Sequence, residues 1–355
     1  RNGAFSGRFV ISSDQAIEGL QVAVSALNTK DGKVTLPADA VEVRHAVLAH
    51  PADSPRPQPL FDGLHAGVPA RGEFVTLQLR DHAKREDYTV SGAIVPVWIT
   101  VRPPKEAAPG LYAGTVTVQA SGLETTVVPV RCRVHGWTLP DPVDYRVKTL
   151  NVLSPYSVAE HYKVPLWSDE HFKLMENSFR LMAAINGRRV DVDMVPGLRY
   201  GVAPVEHSMF RLVPKKGGDG YDYDFSVIEK VFDLVEKTMK EPLPLQVNCW
   251  GYDHAKNAQS ALAWLESAKR VPVVDPDTGE LSHVENPPPG TEANYTFWKP
   301  ILEELRERIE RRGWFAATAI GHQSYCWTPH AKQVDIARRI WPDAVYTFSS
   351  HSGTL

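Results

Sequence analysis

Neither sign of charge is in excess here. The 355 residues carry 39 Lys+Arg against 42 Asp+Glu, a formal net charge of −3. That balance excludes a nucleic-acid binder held by wholesale phosphate neutralisation. No apolar run approaches the roughly 20 residues that a membrane-spanning helix needs, so no membrane span is expected. Cysteine is scarce: Cys132, Cys249 and Cys326 lie far apart, without a C-x-x-C. Three thiols make at most one bridge, which excludes a disulfide framework and leaves no pattern for structural zinc. The phosphate-cradling motifs G-x-G-x-x-G and G-x-x-x-x-G-K-[ST] are absent, so dinucleotide and P-loop readings have no support. Thirteen histidines include no H-x-H and no H-E-x-x-H, and neither a metal nor another cofactor is expected. The chain opens at Arg1 with no methionine and no signal-peptide apolar segment. That start reads as a processed leader or an excised segment.

What is present is globular: 43% hydrophobic and 23% charged residues, with 28 prolines that mark turns, edges and linkers. Up to about residue 140 the pattern has the two-residue period of strands with one buried face. Gly19 to Ala26, Ala40 to Leu48, Glu73 to Leu79, Pro96 to Arg102, Tyr112 to Ala120 and Glu124 to Val134 all read so. Short strands at that spacing predict an immunoglobulin-like β-sandwich over 1–140, with Trp98 and Tyr112 as packing residues. The two-proline stretch Trp137 to Asp144 predicts a linker.

Residues 141–355 change character and alternate strand and helix. Strands are expected at Tyr145 to Leu153, Arg189 to Val195, Leu243 to Trp250, Trp314 to Ile320 and Ala344 to Phe348. Helices are expected after Ser168, after Asp224, at Phe297 to Arg311 and at Lys332 to Ile340, and a long excursion from about Asp253 to Glu292 with one helical piece near Gln259 to Lys269. Strands separated by helices imply parallel pairing, which suits a doubly wound sheet and a TIM barrel alike. A barrel needs eight strands. About five βα units are present, so the barrel reading puts the missing half in a longer chain.

Three segments in this order resemble glycoside hydrolase family 123. They are Val97 to Lys105 running into Ala108 to Val118, then Tyr221-Asp-Tyr-Asp-Phe225, and Phe297-Trp-Lys-Pro300 leading to Arg312-Gly-Trp314. The resemblance implies a β-sandwich followed by a TIM barrel that releases terminal N-acetylgalactosamine from glycans. It implies substrate-assisted catalysis, in which the sugar's acetamido oxygen attacks the anomeric carbon, an Asp orients that group and the adjacent Glu protonates the leaving oxygen. It places the protein, as a glycan-acting one, in the secreted or periplasmic space of a bacterium. The Asp-Glu pair is expected just after the strand Trp314 to Ile320, where this sequence has Gly321-His322-Gln323. The pair therefore does not carry over. The chain's one Asp-Glu dipeptide, Asp169-Glu170, falls in the first turn of a helix, where carboxylates favour the helix dipole.

A barrel site is built at the carboxyl ends of the strands. On the expected strands that face receives Asn151, Tyr156, Asp191, Asp193, Asn248, Trp250, Tyr252, His322, Gln323, Tyr325, Trp327 and His351. Asp191 and Asp193 are two apart, so both point the same way. As buried charges they need partners, and Arg188, Arg189 and Arg199 are at hand. His322, Asp191 and Asp193 are the candidate catalytic groups. The others are candidate sugar contacts, with Trp250, Tyr252, Tyr325 and Trp327 as flat walls for a pyranose ring or, alternatively, as core. Three functions stay open: a glycoside hydrolase with an altered apparatus, a non-catalytic glycan-binding protein on the same scaffold, and, with no motif behind it, a metal-dependent hydrolase using Asp191, Asp193, His322 and His351.

Overall fold

The computed structural model describes residues 1–48, 61–81, 83–195, 208–249, 270–288, 290–323 and 331–349. The chain divides into two compact units, Arg1–Asp141 and Pro142–Leu355.

The first unit is β-rich. Its strands are β1 (Phe5–Ser13), β2 (Ile17–Glu18), β3 (Gln21–Val24), β4 (Asn28–Thr29), β5 (Val41–Leu48), β6 (Phe61–Ala66), β7 (Arg71–Gly72), β8 (Phe74–Asp81), β9 (Glu86–Val101), β10 (Gly110–Gln119) and β11 (Thr126–Val134). One antiparallel sheet runs β1-β9-β5-β6, with β8 also on β9. The other runs β11-β10-β3, with β4 also on β10. The long strand β9 buries Val95, Val97, Ile99 and Val101; Val95 and Val97 share a cluster with Leu20, and Val101 shares one with Leu27, Tyr112 and Val134. Tyr112 is a core residue whose hydroxyl donates to the Ala108 carbonyl at 2.8 Å. Trp98 is half-buried on the opposite face of β9, with the Arg8 guanidinium 5.8 Å from its ring centre.

The second unit is α/β. Its elements are α1 (Pro155–Tyr162), α2 (Asp169–Ala183), β12 (Val190–Asp193), β13 (Arg211–Pro214), β14 (Tyr221–Asp224), α3 (Ser226–Met239), β15 (Leu245–Asn248), β16 (Arg270–Val274), β17 (Leu281–Glu285), α4 (Glu292–Arg311), β18 (Thr318–Gln323), α5 (Ala331–Ile340) and β19 (Val345–Ser349). Strands β12, β15, β18 and β19 pair in that order and in parallel throughout. The sheet is open among the described residues, so the closed barrel expected from the resemblance is not formed by them. The first expected strand, Tyr145 to Leu153, is reduced to one parallel bridge between Thr149 and Gly187. Its polar groups bond to the end of α2 instead: the Asn186 amide donates to the Tyr145 and Val147 carbonyls.

Local signals explain the helices. The Ser168 hydroxyl caps α2 by accepting from the His171 N–H at 3.2 Å, and the turn that follows α2 passes through Asn186 in the left-handed region to Gly187. Met175, Phe179 and Met182 on α2, Ile228, Phe232 and Val235 on α3, and Ile301, Leu305 and Ile309 on α4 meet Val190, Val192, Leu245, Val247 and Ile320 of the sheet in one core. Each such side chain removed from water contributes about 1.5–3 kcal/mol.

The helix expected after Asp224 is α3, and the stretch before it adds a strand: Tyr221–Asp224 is β14, and the Asp224 carboxylate accepts from the Ser226 N–H at 2.8 Å where α3 begins. The excursion before Glu292 contains the hairpin β16–β17, while its expected helical piece near Gln259 to Lys269 lies outside the described residues. The hairpins β13–β14 and β16–β17 join through parallel pairing of β13 with β16 into a second four-stranded sheet.

Candidate active site

The parallel sheet has two unlike faces. The alternation Val190, Val192 against Asp191, Asp193 sends the valines to the helices and both aspartates to the other side. Register extends that polar side across the sheet. Asp191 is in line with Gln246 and Ala319, and Asp193 is in line with Asn248, Gly321 and Thr347.

These groups are tied together. Arg189 grips Asp191 with two bonds, Nε to Oδ2 at 3.0 Å and Nη2 to Oδ1 at 2.9 Å. Both side chains are nearly buried, at 8% and 6% exposure. Of the arginines expected as partners, Arg189 pairs with Asp191 and Arg188 pairs with Glu241 at 3.0 Å, while Arg199 lies outside the described residues. The Asn248 amide donates to Asp193 at 3.0 Å and to Asp191 at 3.3 Å, and its own oxygen accepts from the Gln246 amide at 2.8 Å.

The two carboxyls are thereby made different. Asp191 has the guanidinium. Asp193 has one neutral donor and a like charge nearby, so burial first and the Asp191 charge second push its pKa up to about 7, against the Asn248 bond and the Arg189 charge. Asp193 is thus able to hold or release a proton near neutral pH, as general acid–base work requires.

Tyr156 stands beside this pair. Ser154 caps α1 through Ser157, and the Pro155 carbonyl accepts from His171 Nε2 at 2.9 Å while His171 Nδ1 accepts from the Trp167 N–H at 3.0 Å. Burial lowers the His171 pKa, which suits this neutral tautomer. The Tyr156 ring then meets Trp167 edge-on at 5.9 Å. Its hydroxyl is buried without a hydrogen-bond partner among the described residues. Burial and the Asp193 charge both hold its pKa up, so it stays a donor. The Thr347 hydroxyl is likewise buried and unpartnered among the described residues.

The structure therefore brings together Asp191, Asp193, Asn248 and Tyr156 of the expected set, and adds Arg189, Gln246 and Thr347. Asn151 is half-buried two residues past the Thr149 bridge. Trp250, Tyr252, Tyr325, Trp327 and His351 lie outside the described residues. Strand β18 begins and ends later than expected, so Gly321, His322 and Gln323 lie within the strand and not after it. A Cβ at Gly321 would fall on the Thr347 carbonyl oxygen of β19. No Asp or Glu occurs from Thr318 to Val334, so the later strand end brings no carboxylate either. Period-two spacing back from Asn248 along β15 marks Gln246. Thr347 needed the cross-strand register.

Comparison with known proteins bears on the fold and the family. A solved family 123 glycoside hydrolase from Clostridium perfringens, studied for glycolipid glycan hydrolysis, superposes with a TM-score of 0.69 at 16% identity. The match covers 98% of this chain and 58% of that one, so this chain spans under two thirds of its length. A Bacteroides ovatus GH5 xyloglucanase in complex with a XXXG heptasaccharide matches at a TM-score of 0.17 and 10% identity, over 94% of this chain and 57% of that one, and nothing about this chain follows from it. No curated protein sequence matches. The model of the glycoside hydrolase 123 catalytic domain matches residues 153–348, more than half of the sequence, and the chain belongs to that family.

Proposed function

We propose that the protein takes a glycan against the polar face of its parallel sheet, with Asp193 as the group that exchanges a proton with it. The observation that carries this reading is the asymmetry of the two aspartates: one paired with Arg189, the other raised to about 7 near the Tyr156 hydroxyl, which is buried without a partner among the described residues. The ligand class, a terminal N-acetylgalactosaminide, is drawn from the family, as are completion of the sheet to a barrel by further βα units, an immunoglobulin-like sandwich for the first unit, and a secreted or periplasmic location in a bacterium. Asn151, Tyr156, Asn248, Trp250, Tyr252, Gln323, Tyr325, Trp327 and His351 are the proposed sugar contacts, with His322 a second candidate acid.

A second reading, glycan binding without turnover, is favoured by Gly321-His322-Gln323, which offers no carboxylate pair on β18. Loss of a general acid costs on the order of a hundredfold to ten-thousandfold in rate. The deciding experiment is a glycan-array screen followed by turnover assays on any hit and on aryl N-acetylgalactosaminides, with Asp193→Asn and His322→Ala alongside. Turnover lost in Asp193→Asn and kept in His322→Ala supports the hydrolase reading. Saturable binding with no turnover selects the binding reading. No binding to any N-acetylgalactosaminide overturns both.

A further inference from the structure

A cleft of about 560 Å³ opens in the first unit between β1 and β11. These are the outermost strands of their sheets: β1 pairs with β9 and β11 with β10, and neither has a second neighbour among the described residues. Alternate backbone groups of β11 therefore point away from β10 toward open solvent, N–H and C=O at Arg131 and Arg133 and a C=O alone at Pro129. Such an edge is a template for one more strand.

Alternation along β11 fixes what that strand would look like. Val128, Val130 and Cys132 are half-buried and turn into the cleft, across from Phe9, while Phe5 at its mouth is 78% exposed. Arg131 and Arg133 fall between them on the outer face, exposed. Together with Arg8 on the opposite lip they have no ion-pair partner among the described residues, and no Asp or Glu lines the cleft. A strand added to β11 places its own residues directly across from these, where opposite charges attract and like charges repel. Its inward side chains meet an apolar wall and its outward ones meet two guanidinium groups.

We propose that this edge is a docking site for an extended polypeptide segment in which apolar and acidic residues alternate, paired to β11 with its apolar side chains in the cleft. The site lies wholly within the first unit and does not rest on the glycan reading.

The test uses the full chain and short blocked peptides of alternating valine with glutamate, or valine with lysine. Binding is followed by the rate of Cys132 alkylation, mapped by mass spectrometry, since Cys132 lies in the cleft wall with a free thiol. The glutamate peptide is expected to protect Cys132 saturably and to bind about tenfold or more tighter than the lysine peptide, the sum of two attractive pairs against two repulsive ones. Arg131→Glu with Arg133→Glu should reverse that preference, and Arg131→Gln with Arg133→Gln should abolish it, both with an unchanged melting temperature. Equal affinity for the two peptides, or no protection at millimolar peptide, overturns the proposal. Concentration-dependent protection of Cys132 without peptide assigns the cleft to a second copy of the chain and overturns it as well.

Discussion

Asn248 holds Asp193 with an N–H···O bond of 3.0 Å and reaches Asp191 with the same nitrogen at 3.3 Å, so one amide serves two carboxyls of unequal charge state. The arrangement makes the site's protonation measurable.

The Asp193 carboxyl sits near 7 in the folded chain against 3.8 for an ordinary aspartate. Between those values the folded protein keeps a proton that the unfolded chain has released. Its stabilising contribution is therefore present in acid and is lost as the pH rises from about 4 to about 7. The loss amounts to at most about 4 kcal/mol. In urea melts over that range, Asp193→Asn should gain stability relative to the parent as the pH rises. A parent–variant difference that stays flat with pH would refute the raised carboxyl.

Asn248→Ala removes the one hydrogen bond that lowers the Asp193 pKa and leaves the Gln246 amide without its acceptor. The Asp193 titration, followed by NMR of the carboxyl carbon, should move further up. Stability should fall by about 1–3 kcal/mol for the unsatisfied amide. A downward move would show that Asn248 is not the donor.

Arg189→Leu strands a buried Asp191 charge and should cost about 3–5 kcal/mol. Arg189→Leu with Asp191→Leu removes both charges and should recover most of that loss. Thermal melts of the two variants check the pair. Equal destabilisation in both would mean that the packing of the guanidinium stem, not the ion pair, stabilises this end of β12.

Gly321→Asp restores a carboxylate at the first position of the expected pair, yet it should not restore hydrolysis. Its Cβ meets the β19 backbone at Thr347, and backbone cannot rotate away as a side chain does. The substitution should lower stability by about 1–3 kcal/mol or more. Gly321→Ala should do nearly the same, because the conflict begins at Cβ. A Gly321→Asp variant as stable as the parent would show that β18 and β19 separate freely here.

The polar face of the sheet was legible where spacing alone decides direction, as at Asp191 and Asp193. It was not legible at Thr347, whose place beside Gly321 depends on how β18 and β19 align. Pairing of Asp191 with Arg189 could be anticipated from two residues' separation, but Arg188 offered the same chemistry one residue earlier and faces Glu241 instead. In the β-rich unit, alternation marks β9 only from Pro96 onward. Its first residues, 86–91, are all exposed, so they carry no alternation, and β8 alone holds them as a strand. The hairpins of the second sheet were missed for a related reason: strands of four or five residues containing Pro214 or Pro272 have no periodicity of their own.

Those two hairpins come from different connections, one following β12 and one following β15, and an isolated two-stranded hairpin is marginal in water. Each is the other's only strand partner among the described residues, through Leu212 and Val273. Both are also anchored in the core through Phe210, Leu212, Val271 and Val273, so shortening either one to a plain loop would leave the other held by those side chains alone, and two insertions far apart in sequence lend each other stability.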